Sequence, residues 1–385
     1  MKIALLTDGI YPYVIGGMQK FAYHLVKQLV KNGHEVYLFH CNDSKLDPFK
    51  LEFFTETERK HIHAIVIPVP HKLPFPGHYI VESYRYSRAI YNALQPLLPE
   101  IDFVLAQGFC AWALFNDKNR NPFPRVAVHF YGLEMYQQIP SLKSKIAQVF
   151  LRPPVKKNIQ KADYTISLGG KITSLLKKIS GKTEIWTSPI GIDPSWLTTA
   201  VKQRKGATRF LYVGRYERRK SLPEINAAIE KLSAQYDFTF EFIGDIPKNK
   251  RISDKHTKYH GKVPPEVNIK DIISQCDVLV CPSYSEGMPT VIMEAMACGL
   301  AIIATDVGAV SDLVDKSNGW IIDTPKPAAI AEAMTLAINE TDELLSSKKI
   351  NSLNKIKNCF LLEDATASLI AKMESVAQAK ALNSF

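Results

Sequence analysis

Short apolar runs recur along the chain, each followed by a loop and then by apolar positions spaced for a helix. Lys2–Thr7 is nearly all apolar, as a parallel strand covered on both faces should be. After a loop over Asp8–Ile15 and the pair Gly16-Gly17, the residues Phe21, Leu25, Leu29 and Ala22, Val26, Val30 recur every four positions, which predicts a helix over Met18–Lys31. Asn32-Gly33 ends it, and Glu35–Phe39 is the next strand. Further strands are predicted at Ala64–Pro68, Phe103–Ala106, Arg125–His129 and Ala162–Ser167, with a loop over His71–Tyr79 and a helix over Tyr84–Leu98. A strand, glycine loop, helix and strand in that order predict a doubly wound α/β domain.

The pattern then restarts. Thr198–Thr208 is short, polar and basic and reads as a linker. Arg209–Val213 is a strand, Gly214–Lys220 a basic loop and Leu222–Leu232 a helix. Strands follow at Phe238–Asp245, Tyr259–Val263, Asp277–Val280, Ala301–Thr305 and Gly319–Ile322, with helices over Ala328–Asn339 and Thr366–Leu382. Two such units suit a chain of 385 residues.

One stretch carries most of the chemistry. Pro282–Gly299 begins as a loop and becomes a helix at Thr290. The free amides of a first helical turn favour anions. Glu286 lies in the loop, and Glu294, about a turn into the helix, leans back toward the same mouth. Anion-binding amides beside two hydroxyl-accepting carboxylates suit a sugar joined to a phosphorylated nucleoside. Gly16 and Gly17 would let a second loop approach a phosphate.

Charge and cysteine content narrow the alternatives. The formal net charge is +10, and nearly all of it falls between Ser141 and Lys182. The bases there are Lys143, Lys145, Arg152, Lys156, Lys157, Lys161, Lys171, Lys177, Lys178 and Lys182, against the single acid Asp163. They are interspersed with Ile146, Val149, Phe150, Leu151, Leu175 and Leu176. Such a segment prefers anionic partners: lipid head groups, nucleic acid or a phosphorylated substrate. The six cysteines are scattered without a C-x-x-C pair, which suits a reduced cytoplasmic protein without structural zinc. The dinucleotide fingerprint G-x-G-x-x-G is absent, against a nicotinamide enzyme.

Pro282–Gly299 resembles the Glu-x7-Glu signature of the family-4 retaining glycosyltransferases, which have the GT-B fold. Gly214–Ser221 is similar to that family's G-R…K-G loop, with Ser221 in place of the usual glycine. Ala162–Ser167 and Pro189–Asp193 resemble two further segments of its first domain. The resemblance implies two Rossmann-like domains facing across a cleft. Residues 1–200 would bind the acceptor and 205–365 the nucleotide sugar, with the C-terminal helix (366–385) crossing back onto the first domain.

By that resemblance Arg215 and Lys220 neutralise the donor diphosphate. Glu286 and the residues after it, Gly287, Met288, Pro289 and Thr290, hold the donor sugar, and Glu294 binds the ribose. Gly16 and Gly17 approach the phosphates, and the backbone around Lys262 and Val263 contacts the base. His129 takes the place of the family histidine near the reacting carbon, with Tyr131 as the alternative.

The implied reaction moves a hexose or N-acetylhexosamine, with retention, from a UDP-, GDP- or ADP-sugar to a hydroxyl of a glycan or glycolipid. UDP is favoured as the base carrier. No metal or other cofactor is expected, and no nucleic-acid partner. Envelope polysaccharide or lipopolysaccharide synthesis at the inner face of the cytoplasmic membrane is the implied setting. A non-catalytic surface adaptor, a nucleotide-sugar epimerase and an oxidoreductase are the readings from other classes.

Overall fold

A computed structural model describes the chain apart from residues 15, 43–45, 70–76, 118–123, 139, 141–147, 264–268 and 383–385. The first seven strands are β1 (Lys2–Leu6), β2 (Glu35–His40), β3 (Ile62–Val66), β4 (Phe103–Gln107), β5 (Arg125–His129), β6 (Tyr164–Ser167) and β7 (Glu184–Thr187). They form one parallel sheet in the order β3-β2-β1-β4-β5-β6-β7. The remaining strands are β8 (Thr208–Val213), β9 (Phe238–Ile243), β10 (Thr257–Gly261), β11 (Val278–Cys281), β12 (Ala301–Thr305) and β13 (Gly319–Ile322). These make a second parallel sheet, β10-β9-β8-β11-β12-β13. The architecture is the GT-B arrangement of two Rossmann-like units that the sequence predicts.

Alternation explains why the strands read as unbroken apolar runs. Ile3 and Leu5 of β1 enter one core, and Ala4 and Leu6 enter the core on the other face. In β8, Leu211 faces one way and Phe210 and Tyr212 the other. The helix Gly17–Lys31 buries Phe21, Ala22, Leu25, Val26 and Leu29 against the first sheet. That same core continues without a break into the second sheet through Ile292, Met296 and Leu279.

Some boundaries differ from the sequence reading. The helix expected over Tyr84–Leu98 spans His78–Leu94 and tightens into a 3-10 turn at Gln95–Leu97. Gly77, at φ 87°, turns the chain into it six residues early, and the ring of His78 meets Glu82 one turn on at 3.0 Å. Pro96 closes it, because proline cannot continue the backbone ladder. The rest of the expected loop, from His71 onward to residue 76, lies outside the described residues. A long helix over Asp342–Cys359 was not anticipated. Its Lys349 is buried and donates to Asp277 at 2.8 Å, just before β11.

The chain passes between the sheets twice. The first passage follows β7, and the linker then runs along the second unit, where the amide of Thr198 donates to the carbonyl of Ala297 at 2.9 Å. The second follows Cys359, where the helix Leu362–Leu382 leaves the second unit and packs on Gly17–Lys31. Both passages meet at one bridge between Ile192 and Leu361. Ile192 donates to Phe360 at 2.9 Å and accepts from Leu362 at 3.0 Å.

Candidate active site between the two sheets

Each sheet reverses its strand order once, between β1 and β4 and between β8 and β11. Ligands in such sheets bind beyond the carboxyl ends of the strands at that reversal. The loops that leave β8 and β11 are the two charged segments singled out in the sequence.

After β8 the loop makes a 3-10 turn at Arg218–Lys220, and Ser221 then takes a left-handed conformation at φ 58°. That conformation explains why glycine is usual at this place in the resembled family. The turn directs Lys220 inward. Its Nζ meets Oε1 of Glu286, which also accepts from the Ser283 hydroxyl at 2.8 Å. Arg219 Nη1 approaches the other oxygen, Oε2, at 3.2 Å. Glu286 is 6% exposed. Burial alone would raise its pKa, but Lys220 and Arg219 outweigh it and hold the carboxyl below the usual carboxylate range. Burial would likewise lower the pKa of Lys220, and Glu286 overrides it in the raising direction.

Arg215 is placed differently. Its side chain is 80% exposed and pairs with Glu217 at 2.9 Å, on the open side of the loop. Glu217 also accepts from Arg219 Nε at 2.9 Å. So Arg219, which the sequence reading passed over inside a basic run, converges on Glu286 while Arg215 waits at the rim.

Thr290–Ala297 is the short helix after Glu286, and Pro289 precedes it at φ −72°. Met288 is buried beneath the turn. Glu294 is half-buried, and burial raises its pKa. Lys20, from the helix that begins at Gly17, opposes that rise. A Cβ on Gly17 would stand 4.0 Å from Thr290 Cγ2. The two helix starts, one from each unit, therefore face each other. Gly16 is extended at φ 177° and caps the first. Lys262 and Val263 lie just past β10, the outer strand of the second sheet. Lys262 is exposed and Val263 packs on the core.

The loop after β5 joins the first unit to Glu286. Gln137 donates to the carbonyl of Glu286 at 2.6 Å and accepts from its amide at 3.3 Å. A Cβ on Gly287 would come within 2.7 Å of the Tyr131 carbonyl, so the two loops touch backbone to backbone. His129, at the end of β5, is 1% exposed, and burial alone lowers its pKa to about 3, so it is neutral. Its ring stacks on Tyr131 at 3.8 Å, and its Nε2 has no hydrogen-bond partner among the described residues. Both residues line a cavity of about 520 Å³ at the reversal of the first sheet. The sequence alternatives for the family histidine are thus neighbours in one wall.

Comparison with known proteins agrees with this geometry. Residues 15–196 match the family described as Glycosyltransferase Family 4, and residues 199–355 match Glycosyl transferases group 1. The putative teichuronic acid biosynthesis glycosyltransferase TuaC of Bacillus subtilis is 34% identical over 190 residues. That alignment covers 47% of this chain and 48% of TuaC, so the chain matches about half of that relative's length. The uncharacterized glycosyltransferase MJ1178 of Methanocaldococcus jannaschii is 26% identical over 89% of this chain and 90% of its own. Among solved structures, sucrose-phosphate synthase from Thermosynechococcus elongatus superimposes with a TM-score of 0.78 at 18% identity, over 98% of this chain and 99% of its own. HepE of Anabaena, in complex with UDP and glucose, does so with a TM-score of 0.68 at 16% identity, over 97% and 100%. The two halves of this chain thus match two glycosyltransferase family models in succession, and the chain is a glycosyltransferase with the GT-B fold.

Proposed function

We propose that the enzyme transfers a sugar from a nucleoside diphosphate sugar, UDP-linked by preference, to a hydroxyl with retention of configuration. The observation that carries this reading is the buried carboxylate Glu286 held by Lys220 and Arg219 at the start of a helix. In the reaction the anomeric C–O bond breaks and its electron pair goes to the β-phosphate oxygen. The acceptor oxygen bonds to the same carbon from the same face, and its proton passes to the departing phosphate. Negative charge grows on the diphosphate, so preorganised donors there have the most to contribute. Lys220, with Arg219 and the exposed Arg215, takes the phosphates, and Glu286 turns from its cations to the donor's hydroxyls. Cationic side chains then do the work of a metal. Turnover of a UDP-sugar should survive excess EDTA, and loss of activity restored by magnesium would reject the metal-free assignment. The epimerase, oxidoreductase and adaptor readings have no comparable support.

Glu294 would accept the ribose hydroxyls. Glu294→Gln should weaken nucleotide binding by about 1.5–3 kcal/mol, roughly ten- to a hundredfold. The same change should raise the melting temperature near neutral pH. A carboxyl whose pKa is raised in the fold contributes stability below its unfolded value, lost as pH rises through the folded one. The variant's advantage should therefore vanish in acid. Unchanged affinity for UDP by calorimetry would remove the ribose assignment.

The acceptor is a glycan or glycolipid, and the likeness to TuaC, a putative teichuronic acid biosynthesis glycosyltransferase, favours bacterial envelope polysaccharide. No helix among the described residues is long and apolar enough to cross a membrane. Lys156, Lys157, Lys161, Lys177 and Lys178 are exposed on two neighbouring helices, Arg152–Lys161 and Gly170–Ile179, and Lys182 is exposed in the turn that follows them. Val149 and Phe150, 50% and 65% exposed, precede them. Leu176 is instead buried and Leu175 packs on the core, so the apolar part of this face is narrower than the sequence implies. Lys143, Lys145 and Ile146 lie outside the described residues. Peripheral binding to anionic lipid would gain about 1 kcal/mol per base. Sedimentation with anionic vesicles should fall at high salt and weaken when Lys156 and Lys157 become Glu. Indifference of the wild type to such vesicles at low salt would end the membrane reading alone.

A further inference from the structure

The cavity at the reversal of the first sheet is unlike the site around Glu286 in its chemistry. Asp8 leaves β1, Gln107 ends β4, and Glu134 follows β5, all lining it. Glu82, from the helix His78–Leu94, joins them. Among the described residues no lysine or arginine lines this cavity, and its one histidine, His129, is neutral. Aromatic rings complete the wall: Tyr79, Tyr86, Phe109, Phe130 and Tyr131.

The polar groups are held in place rather than mobile. Asp8 accepts from Gln19 at 3.0 Å and remains open to solvent. Gln107 accepts from the Thr7 hydroxyl at 2.6 Å and donates to the Tyr131 hydroxyl at 2.6 Å. His129 Nε2 is buried in the same wall without a hydrogen-bond partner among the described residues. Arg219, whose charge also acts on the lining residue Glu134, is already shared by Glu217 and Glu286. The cavity also adjoins the proposed donor site. Tyr131 touches Gly287, and Met18, another lining residue, directly follows Gly17.

We propose that this cavity holds the acceptor's terminal sugar, and that it selects a neutral or amine-bearing saccharide against one carrying a carboxylate or phosphate. The proposal rests on the reading that the Glu286 side holds the donor. A volume of about 520 Å³ is in the range of small-molecule sites, about 300–1,000 Å³. Carboxylates accept strong hydrogen bonds from hydroxyl or ammonium groups, and aromatic faces bury the sugar's C–H surface. An anionic sugar would enter beside Asp8, Glu82 and Glu134 with no lysine or arginine among the described lining to receive it, since Glu82 already meets His78 and Arg219 already serves Glu217 and Glu286, and like charges exclude a ligand.

The test titrates the full-length protein, saturated with UDP, with five ligands followed by saturation-transfer NMR. They are the methyl glycosides of glucose, N-acetylglucosamine, glucosamine and glucuronic acid, and glucose 6-phosphate. The first three should bind at least about tenfold more tightly than the two anions, a gap of about 1.4 kcal/mol. Glu82→Gln combined with Glu134→Gln should narrow that gap, and Tyr79→Ala should weaken the neutral ligands. Equal or tighter binding of the anions, a preference that the variants leave unmoved, or no binding by any of the five would overturn the proposal. UDP affinity, measured separately by calorimetry, reports on the donor reading. Its absence would strike that reading, while the cavity's charge preference would be scored on the same five ligands without UDP.

Discussion

Replacing Lys220 by Met should lower turnover by about a hundred- to a thousandfold, the usual effect of removing one preorganised donor from a developing anion. The fold should suffer as well. Lys220 is one of two cations that hold the buried Glu286, and breaking a buried pair from one side costs about 3–5 kcal/mol when the other charge is left alone. Arg219 remains, so the loss should fall toward the lower end of that range. The double variant Lys220→Met with Glu286→Gln should recover most of the stability and none of the turnover, which separates the two roles. Melting curves across pH supply a second check. A carboxyl held below its unfolded value contributes stability above that value, lost as pH falls through the folded one. In the Lys220→Met variant that contribution is reduced, so its deficit against wild type should shrink in acid. Affinity for UDP should fall more than affinity for uridine. Equal losses would take Lys220 away from the phosphates.

The second large effect is expected at Gly308, which no motif marks. It stands at φ 58° between the two units. A Cβ there would lie 2.3 Å from the carbonyl oxygens of both Glu286 and Gly287. Its own carbonyl accepts from the amide of Lys171 at 2.8 Å, and the next amide, Ala309, donates to Gly287 at 2.7 Å. Gly308→Ala cannot be absorbed by a side-chain rotation, because the obstacles are backbone. It must push Glu286 away from Lys220, and a shift of about 1 Å at a reacting site costs roughly a hundredfold in rate. Gly206→Ala is the control, with φ at 75° and nothing within 4 Å of the added carbon. It should lose only about 1–2 kcal/mol of backbone strain and keep its turnover. If the two variants behave alike in melting temperature and rate, the close approach at Gly308 is not a constraint on the site.

The fold was legible wherever the apolar pattern was decisive. Strands β5, β12 and β13 and the helix Leu222–Leu232 have the predicted limits, since buried parallel strands and a one-sided helix leave little choice of register. The helix Asp342–Cys359 escaped because its apolar stripe is thin and one buried position is a lysine, neutralised by Asp277, which is distant in sequence and lies just before β11. Within the site, Glu286 and Lys220 stand out because each sits at the turn out of a strand. Arg219 and Gln137 do not. One is lost in the run Arg218-Arg219-Lys220, and the other acts across the cleft, where contacts leave no periodicity in either partner. Asp8 and Glu134 were passed over for the same reason. Each is a lone acid in a loop, and only the sheet's reversal brings them to one wall.

The shared bridge at Ile192 and Leu361 sets how the enzyme can breathe. Two separate tethers would let the halves shear or twist independently. Here both are hydrogen-bonded to each other at one place, with Gly191 so close to Leu362 that a Cβ would come within 2.3 Å of its Cα. Opening of the halves should therefore swing about this point. Gape at the substrate mouth then grows with distance from Ile192, so a single pair of probes across Gly17 and Thr290 reports the whole opening coordinate.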